Sequence, residues 1–294
     1  MRQPIIGFIG AGVMGEPMCR NIRVRGGYRV LVYDLDATVL ERLAIHGVEA
    51  AVGVGALVRG SDVVLASLPS GRVLEDLARA KGGLLESVRA GQIFVDLGTS
   101  PVGLTRKLAA EFAARGVRYV DAPVARTRQA AEAGTLSVMV GGDAADLEAV
   151  RPIVACVAEE ITHCGAVGSG QTAKILNNMV LFQTVAALSE AYAIAARSGV
   201  DPGLLFETLA KGSADSFALR NHGMKAIIPQ VFPERAFSVE YAKKDLAYAL
   251  ELAADAGVDA EGARRVDRLF DAAIAGGVGD QYHPVVSRIV AGTL

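Results

Sequence analysis

The chain holds only three cysteines, Cys19, Cys156 and Cys164, among its 294 residues. They are too far apart for a zinc knuckle, and their odd number argues against a disulfide framework, so a reducing cytoplasm is the expected setting. Histidine is equally sparse. His46, His163, His222 and His283 show no ligand spacing, so surface or structural roles are expected and no metal site. An excess of one charge is missing too: 30 basic residues face 32 acidic ones. That excludes a nucleic-acid tail and a basic membrane patch. The longest uncharged stretch, residues 175–189, is interrupted by Asn177, Asn178, Gln183 and Thr184 and reads as too short and too polar to span a bilayer. At the N-terminus, "MRQPIIGFIGAGVMG" has an apolar run broken by glycine and no cleavage region, so export is not expected. Fixed-period repeats and low-complexity tracts are absent.

What is present is alternation. "IIGFI", "YRVLVYD", "DVVLASL", "QIFVDL" and "VRYVDA" read as buried strands bounded by Gly, Asp or Pro. Helix-like stretches such as "VMGEPMCRNIRVRG" and "GLTRKLAAEFAARG" lie between them. The pattern predicts a parallel sheet with helices on both faces. "TLSVMVGG" and "EEITHC" add two later strands, and "GAVGSG" is a hinge candidate. From Gln171 to Arg197 an apolar face persists, enough for a helix of about 40 Å. Residues 202–211, 239–256 and 260–275 also read as helices, and no strand is expected after residue 165. Two domains follow: residues 1–165, α/β, and residues 166–294, all-helical, joined by the long helix.

"GFIGAGVMG" places Gly10, Gly12 and Gly15 in G-x-G-x-x-G spacing after a strand and at the opening of a helix. Glycine there permits a tight turn and close approach of backbone to a pyrophosphate, with the helix N-terminus supplying N–H donors. Val13 and Met14 complete the loop. Asp34 ends the second strand about 20 residues on, where a carboxylate binds a ribose 2′-hydroxyl. It would repel a 2′-phosphate, and neither Leu35 nor Asp36 offers a compensating cation, so NAD is favoured over NADP. The plainer alternative makes Asp34 a strand-end cap. A doubly wound Rossmann-type domain is thus the expected first half.

Four motifs in order then resemble the β-hydroxyacid dehydrogenase family over nearly the whole chain: "GFIGAGVMGEPMCRNI", "DAPVARTRQAAEAGTLSVMVGG", "GSGQTAKILNNM" and "FSVEYAKKDLAYAL". The resemblance implies an oxidoreductase that moves a hydride between NAD and a small anionic hydroxyacid or aldehyde. It implies Lys174 as the catalytic lysine and Asn178 as the substrate-orienting asparagine. Leu68 and Pro69 fall on a loop lining the cofactor, Thr99 on a residue near the nicotinamide, and Lys244 on a cofactor-contacting lysine. It also implies a homodimer or homotetramer, and the apolar surface of the long helix calls for a partner face.

The residues make chemical sense on their own terms. Lys174 and Asn178 are four apart and share one helix face. Hydride delivery to an aldehyde leaves charge on its oxygen, which an ammonium can stabilise and protonate. The competing reading is a lysine snorkelling from the helix start. Lys243 and Arg128 read as solvated.

The substrate segment departs from the family's commonest form. Ala125-Arg126-Thr127 stands where Ser-Gly-Gly is usual, and "VARTR" resembles the form in sulfolactaldehyde reductases. Arg126 is read as an anion-binding residue, with a solvated loop arginine as the alternative. Thr127 is expected to cap a short helix through "RQAAEA" to Gly134 and to join Arg126 at the substrate. A short-chain 3-hydroxycarboxylate ranks first as substrate, with sulfolactaldehyde the alternative. An imine reductase or a non-catalytic cofactor-binding module are further readings, and Lys174 counts against both.

Overall fold

The computed structural model describes residues 3–234 and 236–294. The chain divides into two compact units, Met1–Lys174 and Ile175–Leu294. The first carries strands β1 (Ile6–Ile9), β2 (Val30–Tyr33), β3 (Glu49–Ala50), β4 (Val63–Ala66), β5 (Ile93–Asp96), β6 (Arg118–Asp121), β7 (Val124–Ala125), β8 (Leu136–Gly141) and β9 (Ala158–Gly165). They form one sheet in the order β3-β2-β1-β4-β5-β6-β8-β7, with β9 beside β8. Its helices are α1 (Gly15–Gly26), α2 (Ala37–Ala44), α3 (Val54–Gly60), α4 (Gly71–Arg79), α5 (Leu84–Ser87), α6 (Val102–Ala113), α7 (Arg128–Ala133), α8 (Ala144–Val154) and the start of α9 (Ser169–Arg197).

Alternate strand residues feed two separate cores, so both faces of the sheet are covered. Phe8, Val32, Leu65, Val95 and Val120 pack on one side with Met18 and Ile22 of α1. Ile9, Val64, Ala66, Phe94 and Tyr119 pack on the other with Leu108 and Phe112 of α6. Phe94 stacks on Phe112 at 4.8 Å between ring centroids. Burial on both faces explains why these strands read as continuous apolar runs.

The expectation of a parallel sheet needs one correction. The strands from β3 across to β6 are parallel, but β8 runs antiparallel to both β6 and β7. The cause is connection length. Only residues 126–135 join β7 to β8, fewer than the dozen or more that a parallel crossover needs. The "GAVGSG" segment, the hinge candidate, packs closely at its last glycine. A methyl group on Gly170 would overlap the Met139 carbonyl and press on the Gly141 amide, so this glycine lets the start of α9 lie directly on strand backbone.

In the second unit α9 continues and is followed by α10 (Pro202–Leu209), a π-helical segment (Leu219–Ile227), α11 (Val239–Asp255), α12 (Glu261–Ala275), a 3-10 turn (His283–Val285) and α13 (Val286–Ala291). Asp201 caps α10, accepting from the Leu204 amide at 2.8 Å, with Pro202 at its first position. Among the described residues, strand pairing here is limited to isolated bridges between Glu234 and Gln281 and between Ser238 and Tyr282. By length and mean hydropathy α9 does reach what a membrane span needs, contrary to the reading of its uncharged stretch alone. A long core helix passes the same test, and 39% of its most apolar window is buried within the structure.

Two histidines read as scattered are brought together. His222 and His283 lie 5.2 Å apart between ring centroids. His283 is fully buried against Phe182, Phe237 and Tyr282, and the Tyr282 hydroxyl meets His222 Nδ1. Lys243 is also not simply solvated, since its ammonium pairs with Asp267 at 2.7 Å and Asp271 at 2.9 Å. Burial pulls its pKa down, but the two bonded carboxylates outweigh that and raise it.

Burial holds the His222 pKa down at about 4 and His283 well below the usual imidazole value. Both are neutral when folded, so the unfolded chain takes up protons first as pH falls. Stability should be complete above about pH 6.5 and decline from there toward pH 4. His283→Phe should remove roughly 2 kcal/mol of the loss between pH 7.5 and pH 5. Urea unfolding of parent and variant at the two pH values checks this. Equal losses would mean that the imidazole carries its charge inside the fold.

Candidate active site

The parallel register sets the site's first component. Ile9, Ala66 and Asp96 are aligned across β1, β4 and β5. The loops that follow these strands therefore emerge side by side, carrying Gly10 to Gly15, Leu68 with Pro69, and Thr99. This is the carboxyl edge of the sheet, where doubly wound folds bind ligands.

Each glycine of the first loop has its own reason. Gly10 has φ +85°, and a methyl there would overlap the Ser67 carbonyl. A methyl on Gly15 would overlap the Gly10 carbonyl, so α1 can close on the loop only without a side chain. At Gly12 a methyl would meet nothing of the chain within 4 Å. The turn and the helix packing thus use two glycines, while the third opens onto space that a pyrophosphate would fill. α1 has no side-chain N-cap, and Val13, next to Gly12, is half exposed. The residues present fit a dinucleotide.

Asp34 accepts the Ala11 amide at 2.6 Å and the Asp36 amide at 2.9 Å. It therefore ties the end of β2 to the glycine loop. Leu68 and Gly10 are neighbours, the Leu68 Cδ2 lying 3.1 Å from where a Gly10 methyl would stand. Thr99 is buried, and Pro69 is exposed.

Lys174 lies on α9 and is buried, 9% exposed. Asn178, one turn on, is buried and donates through Nδ2 to Asp245 Oδ2 at 2.8 Å. Its Oδ1 accepts from Asn177 at 3.1 Å. The other oxygen of Asp245 pairs with Lys244 at 2.8 Å, and the Lys244 ammonium lies 4.1 Å from the Tyr241 ring centroid and 5.2 Å from that of Tyr248. Lys244 and Asn178 are thus linked through Asp245, which directly follows Lys244 and which sequence reasoning did not single out. The signal was a buried-face position on a helix, which apolar patterning does not mark.

Thr127 caps α7, its hydroxyl accepting from the Ala130 amide, and Gly134 closes the helix in the left-handed conformation. Arg126 has φ +86°, a left-handed backbone on a residue that is not glycine. Its guanidinium is engaged by Glu159 of β9 and by the Thr135 carbonyl at 2.6 Å. Arg128 pairs with Glu132 one turn along and is exposed.

Missed altogether was a buried polar network behind the loops. The Asp121 carboxylate accepts the Gly168 amide at 2.7 Å and the Gln171 amide at 2.8 Å. Asp96 receives the Gly98 amide at 2.9 Å, the Ser100 hydroxyl at 3.0 Å and the Tyr119 hydroxyl at 3.4 Å. Burial pushes Asp96 up to about 7, against the opposing pull of those donors. Burial also raises Asp121, against the opposing pull of the backbone amides it accepts. No cluster of metal-ligating side chains occurs among the described residues.

The glycines give a direct test. Gly12→Ala should leave thermal stability near that of the parent and weaken NADH binding at least roughly tenfold, about 1.4 kcal/mol. Gly10→Ala should instead destabilise the fold, by about 1 kcal/mol or more, because the left-handed backbone rejects a side chain. Thermal melts with and without NADH separate the two. Equal NADH affinity in parent and Gly12→Ala would remove the loop from the cofactor site.

Residues 5–165 match the NAD-binding domain of 6-phosphogluconate dehydrogenase. Residues 168–290 match the NAD-binding domain of NADP-dependent 3-hydroxyisobutyrate dehydrogenase. The chain is 32% identical to 2-(hydroxymethyl)glutarate dehydrogenase of Eubacterium barkeri, over 97% of this chain and 94% of that protein. It is 35% identical to 3-hydroxyisobutyrate dehydrogenase of Pseudomonas aeruginosa, over 83% of this chain and 84% of that protein. The solved structure of Mycobacterium tuberculosis 3-hydroxyisobutyrate dehydrogenase with L-serine superposes with a TM-score of 0.89 at 30% identity, covering 98% of this chain and 99% of that one. A glycine cradle at the sheet edge, a helical second half and relatives matched over almost their full length agree, and the chain belongs to the β-hydroxyacid dehydrogenase family.

Proposed function

We propose that the protein interconverts a short-chain 3-hydroxycarboxylate and its semialdehyde, with NAD as the preferred cofactor and Lys174 as proton donor and acceptor. The observation that carries this reading is the buried Lys174 one helical turn from Asn178, whose carboxamide is held by Asp245. The relatives' substrates support the choice. 3-Hydroxyisobutyrate, 2-(hydroxymethyl)glutarate and L-serine, named as substrates of relatives, each carry a primary alcohol on the carbon next to the one bearing the carboxylate. Asp34, at the ribose position, supports NAD over NADP.

When bound, the dinucleotide supplies or accepts the hydride. The protein's part is electrostatic and positional. As the aldehyde carbon is reduced, the Lys174 ammonium stabilises the charge on its oxygen and gives up a proton to it; in oxidation the neutral amine takes that proton back. Asn178 offers its second amide hydrogen to a substrate oxygen. Thr127 and Arg126 meet the anionic end. Leu68, Pro69 and Thr99 would line the cofactor, and the family resemblance assigns Lys244 to it as well.

A second reading keeps sulfolactaldehyde as substrate. Arg126 favours it: an arginine holds a left-handed backbone, where glycine would sit without strain, at the substrate loop. Its present partner Glu159 would then yield to the sulfonate.

Rates on methylmalonate semialdehyde, sulfolactaldehyde and an uncharged aldehyde with NADH test both readings. Lys174→Ala should lower kcat by roughly 10²–10⁴-fold with NADH affinity unchanged; an equally active variant would sink the mechanism. The carboxylate reading expects methylmalonate semialdehyde to be the best substrate. If sulfolactaldehyde is best, and Arg126→Ala loses about a hundredfold on it alone, the sulfonate reading replaces it.

The same family reading includes a homodimer or homotetramer. Val180, Ile194 and Leu204 are exposed. Beside them Ala187, Ala191 and Leu209 line a hollow of about 540 Å³. Small residues flanked by exposed apolar ones suit a self-complementary helix contact. The parent should sediment well above the 30.6 kDa of one chain, and Ala191→Arg should move it toward that mass. A parent that sediments as a single chain at micromolar concentration would end this assignment.

A further inference from the structure

We propose that Gln171 is a positioning residue that fixes the cofactor loop at Thr99 to the helix carrying Lys174, and so sets the geometry of the chemical step. The inference rests on the reading of Lys174 and Thr99 given above.

Gln171 is fully buried. Its Oε1 accepts the Ser100 amide at 3.0 Å. Its Nε2 donates to the Gly98 carbonyl at 2.9 Å and to Asp96 Oδ2 at 3.3 Å. The planar carboxamide thus engages the backbone on both sides of Thr99, accepting from one neighbour and donating to the other, as a paired peptide group would. No other side chain of that length offers both functions: glutamate lacks the donor, and lysine lacks the acceptor.

The main chain of Gln171 is held just as firmly. Its amide goes to Asp121 at the end of β6, and Gly170 seats the helix start on strand backbone. The side chain reaches the loop after β5. One residue therefore ties α9 to two adjacent strand ends, and Lys174 follows three residues later, a rise of about 4.5 Å. Without the carboxamide, the Gly98 carbonyl, the Ser100 amide and the Asp96 carboxylate lose a buried partner. The loop then relaxes relative to the helix. Displacements on the order of 1 Å cost a reaction about a hundredfold while leaving binding largely intact.

The test uses the full-length protein with Gln171→Leu and Gln171→Glu. Amide hydrogen exchange without cofactor should show Ser100 exchanging faster in Gln171→Leu. Its kcat should fall roughly 10–100-fold, with NADH affinity within about threefold of the parent. The deuterium isotope effect with 4-deuterated NADH should rise as hydride transfer becomes more rate-limiting. Gln171→Glu keeps the shape and loses the donor. It should approach the parent rate at low pH, where the introduced carboxyl is protonated, and fall away as pH rises.

A merely structural role would lower the folded fraction and leave the isotope effect and the shape of the pH profile alone. Folded variants with those properties and with parental exchange at Ser100 would overturn the proposal. If Lys174→Ala is as active as the parent, the functional reading fails separately. Exchange at Ser100 then still decides the bridge: faster in Gln171→Leu upholds it, unchanged overturns it.

Discussion

The Asp121 carboxylate, accepting the Gly168 amide just before α9 and the Gln171 amide in its first turn, is the contact on which the candidate site depends. A helix leaves its leading N–H groups without partners, and here the Gln171 amide, with the Gly168 amide just ahead of the helix, finds a buried acid at the end of β6. A carboxylate at a helix N-terminus is favoured by the helix dipole as well as by the hydrogen bonds. The cost is an acid taken out of water, seen in the raised pKa of Asp121. Because Asp121 lies on a strand, the helix start inherits the rigidity of the sheet. Sites built on such elements hold their geometry better than sites on loops.

The same logic runs through the glycine loop. Gly10 and Gly15 are there for backbone reasons internal to the chain, a left-handed turn and a close helix approach. Gly12 alone faces open space. Asp34 then fastens this loop to β2 through the Ala11 amide. Capping the strand end and meeting a ribose are compatible, since a carboxylate has about four lone-pair positions and the two recorded amides use only two.

Most of the architecture was legible in the sequence because burial on both faces turns strands into unbroken apolar runs and α9 into a long uninterrupted pattern. Asp201 with Pro202 marked the start of α10, and Thr127 with Gly134 marked both ends of α7. The direction of β8 was less legible, since periodicity says nothing of orientation; the short link through residues 126–135 decides it. Motif signatures marked the candidate site residues but not the side chains that support them. Asp96, Asp121, Gln171 and Asp245 act through hydrogen bonds between residues far apart in the chain, such as residues 100 and 171 or 178 and 245. No local spacing encodes those meetings. The pairing of His222 with His283 escaped for the same reason.

Arg126 shows how magnitudes limit a geometric objection. Its guanidinium is engaged by Glu159, a contact that on its own would keep it from a substrate. The pair is partly exposed on both sides, 31% and 51%, and such pairs contribute only about 0–1 kcal/mol. Hydrogen bonds from a guanidinium to an anion in a drier setting are worth roughly 1.5–3 kcal/mol. Exchange of Glu159 for a bound anion is therefore not opposed by much, and the Thr135 carbonyl can keep the arginine oriented through the change. The strained backbone argues in the same direction. A left-handed arginine costs on the order of 1–3 kcal/mol, more than the exposed ion pair returns. The fold keeps Arg126 in that conformation at a net local cost.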